Sequence, residues 1–90
     1  MTRPRCCYKI GFCPKFRQFK PEGGKAADYT EVTPEEAEAL RLKDMKGLDQ
    51  TEAAKKMGVS QSTFQRVLTS ARRKVSEALI EGKIIKIGEK

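Results

Sequence analysis

The sequence contains no histidine, and so lacks the side chain that most often takes and returns protons in catalysis near neutral pH. It also lacks a phosphate-cradling glycine loop and any nucleophile-bearing motif. Cys7 as a nucleophile has no evident base beside it. Glu35, Glu36 and Glu38 cluster at the start of a helix, where capping and the helix dipole account for them. A protein that is not an enzyme and needs no cofactor is expected. No apolar run approaches the ~20 residues needed to cross a bilayer. The basic start Met1-Thr2-Arg3-Pro4-Arg5 leads into no continuous apolar stretch, so it does not read as a secretory signal. Nor is there a basic helix with a spare apolar face for an anionic membrane surface. A cytoplasmic protein with no membrane partner is expected. Cysteine is scarce and its count is odd: Cys6, Cys7 and Cys13. That argues against a disulfide framework. A structural zinc site generally takes four Cys or His ligands, and here three cysteines, two of them adjacent, are the only such ligands. Reduced thiols, buried or half-exposed, are the favoured reading, with metal binding and redox sensing as alternatives.

What the chain does have is positive charge. Its 90 residues carry a net +7, and the distribution says more than the total. In residues 1–29, seven bases stand against Glu22 and Asp28; residues 30–60 sum to −2, and residues 61–90 to +4. Two basic ends around an acidic middle fit a polyanionic partner, because phosphate neutralisation releases counterions from nucleic acid. A solvated basic surface is the competing reading. Ninety residues leave room for one domain with a modest core, which makes a homodimer a reasonable expectation.

The chain divides in two. Residues 1–29 read as a basic arm or extended segment broken by Pro4, Pro14 and Pro21, with short extended pieces at residues 7–12 and 17–19 and a loop at Gly23-Gly24. From residue 30 to 90 a helical domain with a short C-terminal strand is expected. Thr33-Pro34-Glu35-Glu36 spells a capping box with proline at the first helical position. That helix should run to about Lys46, bury Ala37, Leu40 and Met45, and stop at Gly47. Asp49 opens a second helix, with Glu52 three residues on and Ala53, Ala54 and Met57 as its apolar stripe. Ser60 opens a third. Its apolar positions Phe64, Val67, Leu68, Ala71, Val75, Ala78 and Leu79 fall on one stripe of a 3.6-residue period, and Gly82 ends it. The β-branched tail, residues 83–87, reads as a strand pairing with the N-terminal zone, within one chain or between two.

Residues 49–66 carry the functional signal. A short helix with paired alanines, the sequence Met57-Gly58-Val59-Ser60 and a longer helix make a helix-turn-helix pattern. The alanines allow close approach, Gly58 supplies the positive φ of a tight turn, and Val59 fills the corner. In that motif the first turns of the second helix enter the major groove. The exposed positions there are Gln61, Ser62, Gln65 and Arg66, expected to contact bases: glutamine pairs with adenine, arginine with guanine, and serine with either kind. Gln50, Thr51 and Thr63 are candidate phosphate contacts. So are Arg72, Arg73 and Lys74, which read equally well as a solvated face pairing with Glu77.

Residues 49–75, "DQTEAAKKMGVSQSTFQRVLTSARRKV", resemble the region-4 helix-turn-helix of bacterial sigma factors and its relatives. Across most of the chain the sequence more closely resembles a small uncharacterised family of bacterial and archaeal proteins predicted to bind DNA. The residues carrying this are Arg3-Pro4-Arg5, Phe19-Lys20-Pro21, "EALRL" at 38–42, "EAAKKMGVS" at 52–60 and "SARRKVSEALIEGK" at 70–83. The resemblance implies a mainly α fold, a three-helix, winged-helix-like domain with a less regular N-terminal segment and short β pieces at both ends. It also implies DNA binding through the helix at Gln61, with Gln61, Ser62, Gln65 and Arg66 facing the groove. Some relatives carry a further domain resembling those that bind iron–molybdenum cofactor precursors, which these 90 residues are expected to lack. Sequence-specific binding of duplex DNA in transcription regulation is the leading expectation. The alternative is an interaction module docking on RNA polymerase or another transcription protein through the same surface. RNA binding ranks below both, because Phe64 belongs to the core stripe and is not offered for stacking.

Overall fold

The computed structural model describes residues 17–22 and 28–88. Strands β1 (Gln18–Phe19) and β2 (Tyr29–Val32) precede helices α1 (Pro34–Leu40), α2 (Gln50–Met57) and α3 (Gln61–Glu81), and β3 (Ile84–Ile87) closes the order. The fold is mainly helical with one short three-stranded sheet. No described helix is long and apolar enough to cross a membrane.

Each helix starts where a short polar side chain satisfies a free backbone donor. Thr33 Oγ1 accepts from the Glu36 amide at 3.1 Å, and Glu36 Oε1 accepts from the Thr33 amide at 2.9 Å, a reciprocal box. Asp49 Oδ1 accepts from the Glu52 amide at 2.8 Å, and Ser60 Oγ from the Thr63 amide at 3.2 Å. Each helix is followed by a glycine with positive φ: Gly47, Gly58 and Gly82. At Gly58 (φ 72°, ψ 31°) the left-handed conformation turns the chain so that only three residues separate α2 from α3. A Cβ there would cost about 1–2 kcal/mol.

The expected face of the first helix needs correction. Ala37 is only half-buried and Met45 is 72% exposed; the core takes Ala39 and Leu42, with half-buried Leu40 packed against it. Two causes act together. Glu36 is drawn inward by Ser70 and Lys74 of α3, and Glu38 is buried on the same helix, which turns the helix. Beyond Leu40 it also widens into one π turn, Arg41–Met45, closed by the Lys46 amide on the Arg41 carbonyl at 2.9 Å. An extra residue in a turn shifts every later side chain around the axis, and Met45 leaves the core.

The core joins Ala39 and Leu42 of the first helix to Ala53, Ala54 and Met57 of α2 and Phe64 and Leu68 of α3. The paired alanines let α2 approach α3 closely, and half-buried Val59 packs at the corner. On α3, Ala71 and Ala78 continue the buried stripe, whereas Leu79, expected on it, is 71% exposed. With 21 residues, α3 outruns α1 (7 residues) and α2 (8 residues), and its last turn leaves Leu79 and Ile80 uncovered among the described residues.

β3 is the central strand. β1 pairs with it antiparallel (Gln18 opposite Lys86, Phe19 opposite Ile85), and β2 pairs with it parallel, from Tyr29 opposite Ile84 to Val32 opposite Ile87. The pairing of the tail with the N-terminal zone therefore occurs within one chain. The extended piece expected at 17–19 is the site of β1, and that at 7–12 lies outside the described residues. β2 was not anticipated, although Tyr29-Thr30-Glu31-Val32 has the aromatic and β-branched character of a strand. A parallel pair needs a crossover, and here the three helices supply it. Val32, buried at its end, leads straight into the Thr33 cap.

Candidate nucleic-acid interface

The surface of interest is the outward face of α3. Phe64 and Leu68, both buried, fix the rotation of the helix. The opposite side then presents Gln61, Ser62, Gln65 and Arg66, and all four are exposed. The same face continues through Thr69, Arg73 and Ser76 to Leu79 and Ile80, all of them exposed.

These side chains differ in how freely they stand. Gln61 reaches back to α2, its Nε2 donating to Thr51 Oγ1. In return Gln50 Nε2 donates to the Gln61 carbonyl at 3.5 Å. Gln65 Nε2 donates along its own helix to Thr69 Oγ1 at 3.2 Å. Ser60 Oγ donates to Thr63 Oγ1 at 3.0 Å and lies 3.4 Å from Ser62 Oγ, so half-buried Thr63 belongs to the cap. Arg66 has no ion-pair or hydrogen-bond partner among the described residues. It borders an open groove of about 380 Å³ whose other wall includes Thr33, Glu35 and Glu36. Carboxylates facing a guanidinium give that groove no preference for an anion.

Of the basic run on α3, Arg73 makes no hydrogen bond or close ion pair among the described residues, although its charge acts on Glu77 one turn away. Arg72 forks onto Asp44, Nε at 3.1 Å and Nη2 at 2.6 Å. This contact holds the Asp44 carboxyl below its ordinary value and raises the Arg72 guanidinium. Lys74 Nζ donates to the Glu31 carbonyl and to Glu36 Oε1, each at 3.0 Å. Glu77, expected to pair with this run, makes its closest contact with Lys83 at 2.9 Å; the Lys83 contact first, and the charge of Arg73 after it, lower its carboxyl. Arg72 and Lys74 are thus engaged with the body of the protein, as are Gln50 and Thr51.

Beside this face lies a polar node that the sequence did not reveal. Burial alone would raise the Glu36 carboxyl. The Ser70 hydroxyl, donating at 2.6 Å, together with the Thr33 amide and Lys74, holds it below the ordinary 4.5. Glu38, 2% exposed, is met by Arg41 Nε at 2.9 Å and Nη2 at 3.1 Å, which raises the Arg41 guanidinium. Cys6, Cys7 and Cys13 lie outside the described residues. Among those described, no three His, Cys, Asp or Glu side chains gather to hold a metal ion.

Comparison with known proteins gives kinship without chemistry. The model for "Protein of unknown function DUF134" matches residues 1–89. A "UPF0251 protein" of Halothermothrix orenii is 52% identical over 88 residues, covering 96% of this chain and 65% of the relative. One from Desulforudis audaxviator is 47% identical over 89 residues (97% and 58%), and one from Dehalococcoides mccartyi 48% over 89 residues (97% and 76%). The chain thus spans roughly three-fifths to three-quarters of the length of these relatives. No solved structure matches it. With the family model matching almost end to end and relatives near half identical, the chain belongs to the DUF134 family, whose curated bacterial members are called UPF0251 proteins.

Proposed function

We propose that this protein binds duplex DNA through the outward face of α3, as a transcription regulator built on a helix-turn-helix. The observation carrying the reading is the combination at the start of α3. Four side chains able to meet base edges (Gln61, Ser62, Gln65 and Arg66) are exposed on its first two turns, on a helix whose rotation Phe64 and Leu68 fix. A preceding eight-residue helix and a left-handed Gly58 support the reading, because in a helix-turn-helix the second helix enters the major groove. The net charge of +7 supplies attraction to the phosphates. This reading implies a cytoplasmic protein, and a homodimer wherever the selected site is palindromic.

Fluorescence anisotropy with mixed-sequence duplexes at low salt tests the proposal directly. Submicromolar binding that weakens steeply with salt is expected, and no affinity at low salt would refute it. Arg66→Ala should lower discrimination at one base pair by about 1–3 kcal/mol. A second reading, docking on RNA polymerase or another transcription protein, draws support from exposed Leu79 and Ile80 on the same face. Crosslinks from Gln61, Gln65 and Arg66 to protein, and not to DNA, would favour it.

A further inference from the structure

Among the side chains offered on the first turns of α3, Gln61 alone is tied to another helix. Gln61 is the first residue of α3 and Gln50 the first of α2, so the two helix starts lie side by side and brace each other. Gln61 Nε2 donates to Thr51 Oγ1, while Gln50 Nε2 reaches the Gln61 carbonyl at 3.5 Å. A primary amide has two N–H donors and an oxygen with two acceptor sites. Thr51 uses one donor. One N–H and the Oε1 acceptor remain on an exposed residue, the pair that adenine matches with N7 as acceptor and its 6-amino group as donor.

We propose that Thr51 is a positioning residue that fixes the Gln61 amide to read one adenine in the major groove, with Gln50 bracing the backbone beneath it. The inference rests on the DNA-binding reading and assigns it a base and a mechanism. An untethered glutamine must give up rotamer freedom each time it forms a bidentate pair. Here the contact with Thr51 restricts the side chain in the free protein. The benefit is felt only where adenine accepts the pair, because at any other base Gln61 has no such pair to form. Selectivity at one position therefore depends on a hydroxyl that never touches the DNA. The oxygen of Thr51, first considered a phosphate ligand, becomes part of the reading head.

The experiment selects bound duplexes from a library randomised at its centre, using the full chain, and then measures each single-base variant of the selected site by anisotropy. Wild type is expected to prefer one adenine by about 5- to 150-fold over the other bases, and Gln61→Ala should abolish that preference alone. Thr51→Val keeps the shape and removes the hydroxyl. It should reduce the same preference by about 2- to 10-fold while leaving the other positions unchanged, and Thr51→Ser should restore it. A Thr51→Val protein that binds all sequences equally more weakly, with the adenine preference intact, would make Thr51 a phosphate contact and overturn the inference while leaving DNA binding standing. A wild type that binds duplexes but shows no Gln61-dependent adenine position would overturn it as well. Failure of wild type to bind any duplex would remove the inference together with the reading beneath it. Thr51 is exposed, so circular dichroism melts of both variants should match wild type.

Discussion

At the scale of single residues, Glu36 is the most consequential side chain outside the proposed DNA-facing surface. Its carboxylate serves the Thr33 cap, the Ser70 hydroxyl and Lys74 at once, so it joins the start of α1 to the middle of α3. Hydrogen bonds to a charged group of this kind contribute about 1.5–3 kcal/mol. Because the folded carboxyl is held below 4.5, its contribution is fully present above the unfolded value. As pH falls through the unfolded and then the folded value, that contribution is lost. Urea melts across that acid range should therefore show wild-type stability dropping as pH decreases. Glu36→Gln should be less stable at neutral pH by about 2 kcal/mol and should show a shallower acid slope. Parallel acid slopes in the two proteins would mean that Glu36 is not the linked group. The residue also shows a limit of sequence reading. Its capping role was legible because the partner lies three positions away, but its two partners on α3 lie 34 and 38 positions away.

At the scale of elements, local grammar was read well and relative placement less so. Thr33, Asp49 and Ser60 as helix starts, and Gly47, Gly58 and Gly82 as stops, depend on neighbours within a turn, and they stand where expected. The rotation of α1 did not follow from its apolar residues, because two glutamates took inward positions and a π turn moved Met45. On α3 the periodic stripe was right as far as Ala78 and wrong at Leu79, since periodicity reports a face but not whether anything covers it. The difference is measurable in stability. Phe64→Ala removes a fully buried ring from the core and should cost about 3–5 kcal/mol. Leu79→Ser and Ile80→Ser, at 71% and 85% exposure, should each change stability by no more than about 0.5 kcal/mol. A loss at Leu79 comparable to that at Phe64, seen in urea melts of dilute protein, would mean that the last turn of α3 is covered in solution.

At the scale of the whole molecule, the proposed function makes the electrostatic field the source of attraction to DNA, and the described residues differ in which of their cations are available to it. The net +7 includes Arg72, whose guanidinium is matched by ionised Asp44, and Lys74, matched by Glu36. Arg66 and Arg73 make no close ion pair among the described residues, Arg73 acting only at longer range on Glu77, and they lie seven positions apart on one face, about 10.5 Å along the helix. The slope of log affinity against log salt counts the phosphates neutralised, at roughly −0.9 per contact. Arg73→Ala should therefore make that slope shallower by about one and weaken every sequence alike. Asp44→Asn should act in the opposite direction, since removing the carboxylate raises the net charge and releases Arg72 beside the same face. The expected result is tighter binding at low salt, a slope steeper by up to about one, and little loss of stability, because solvent screens an exposed ion pair. If Asp44→Asn binds no more tightly than wild type at low salt, Arg72 does not face the duplex, and the DNA contact ends on α3 before that residue.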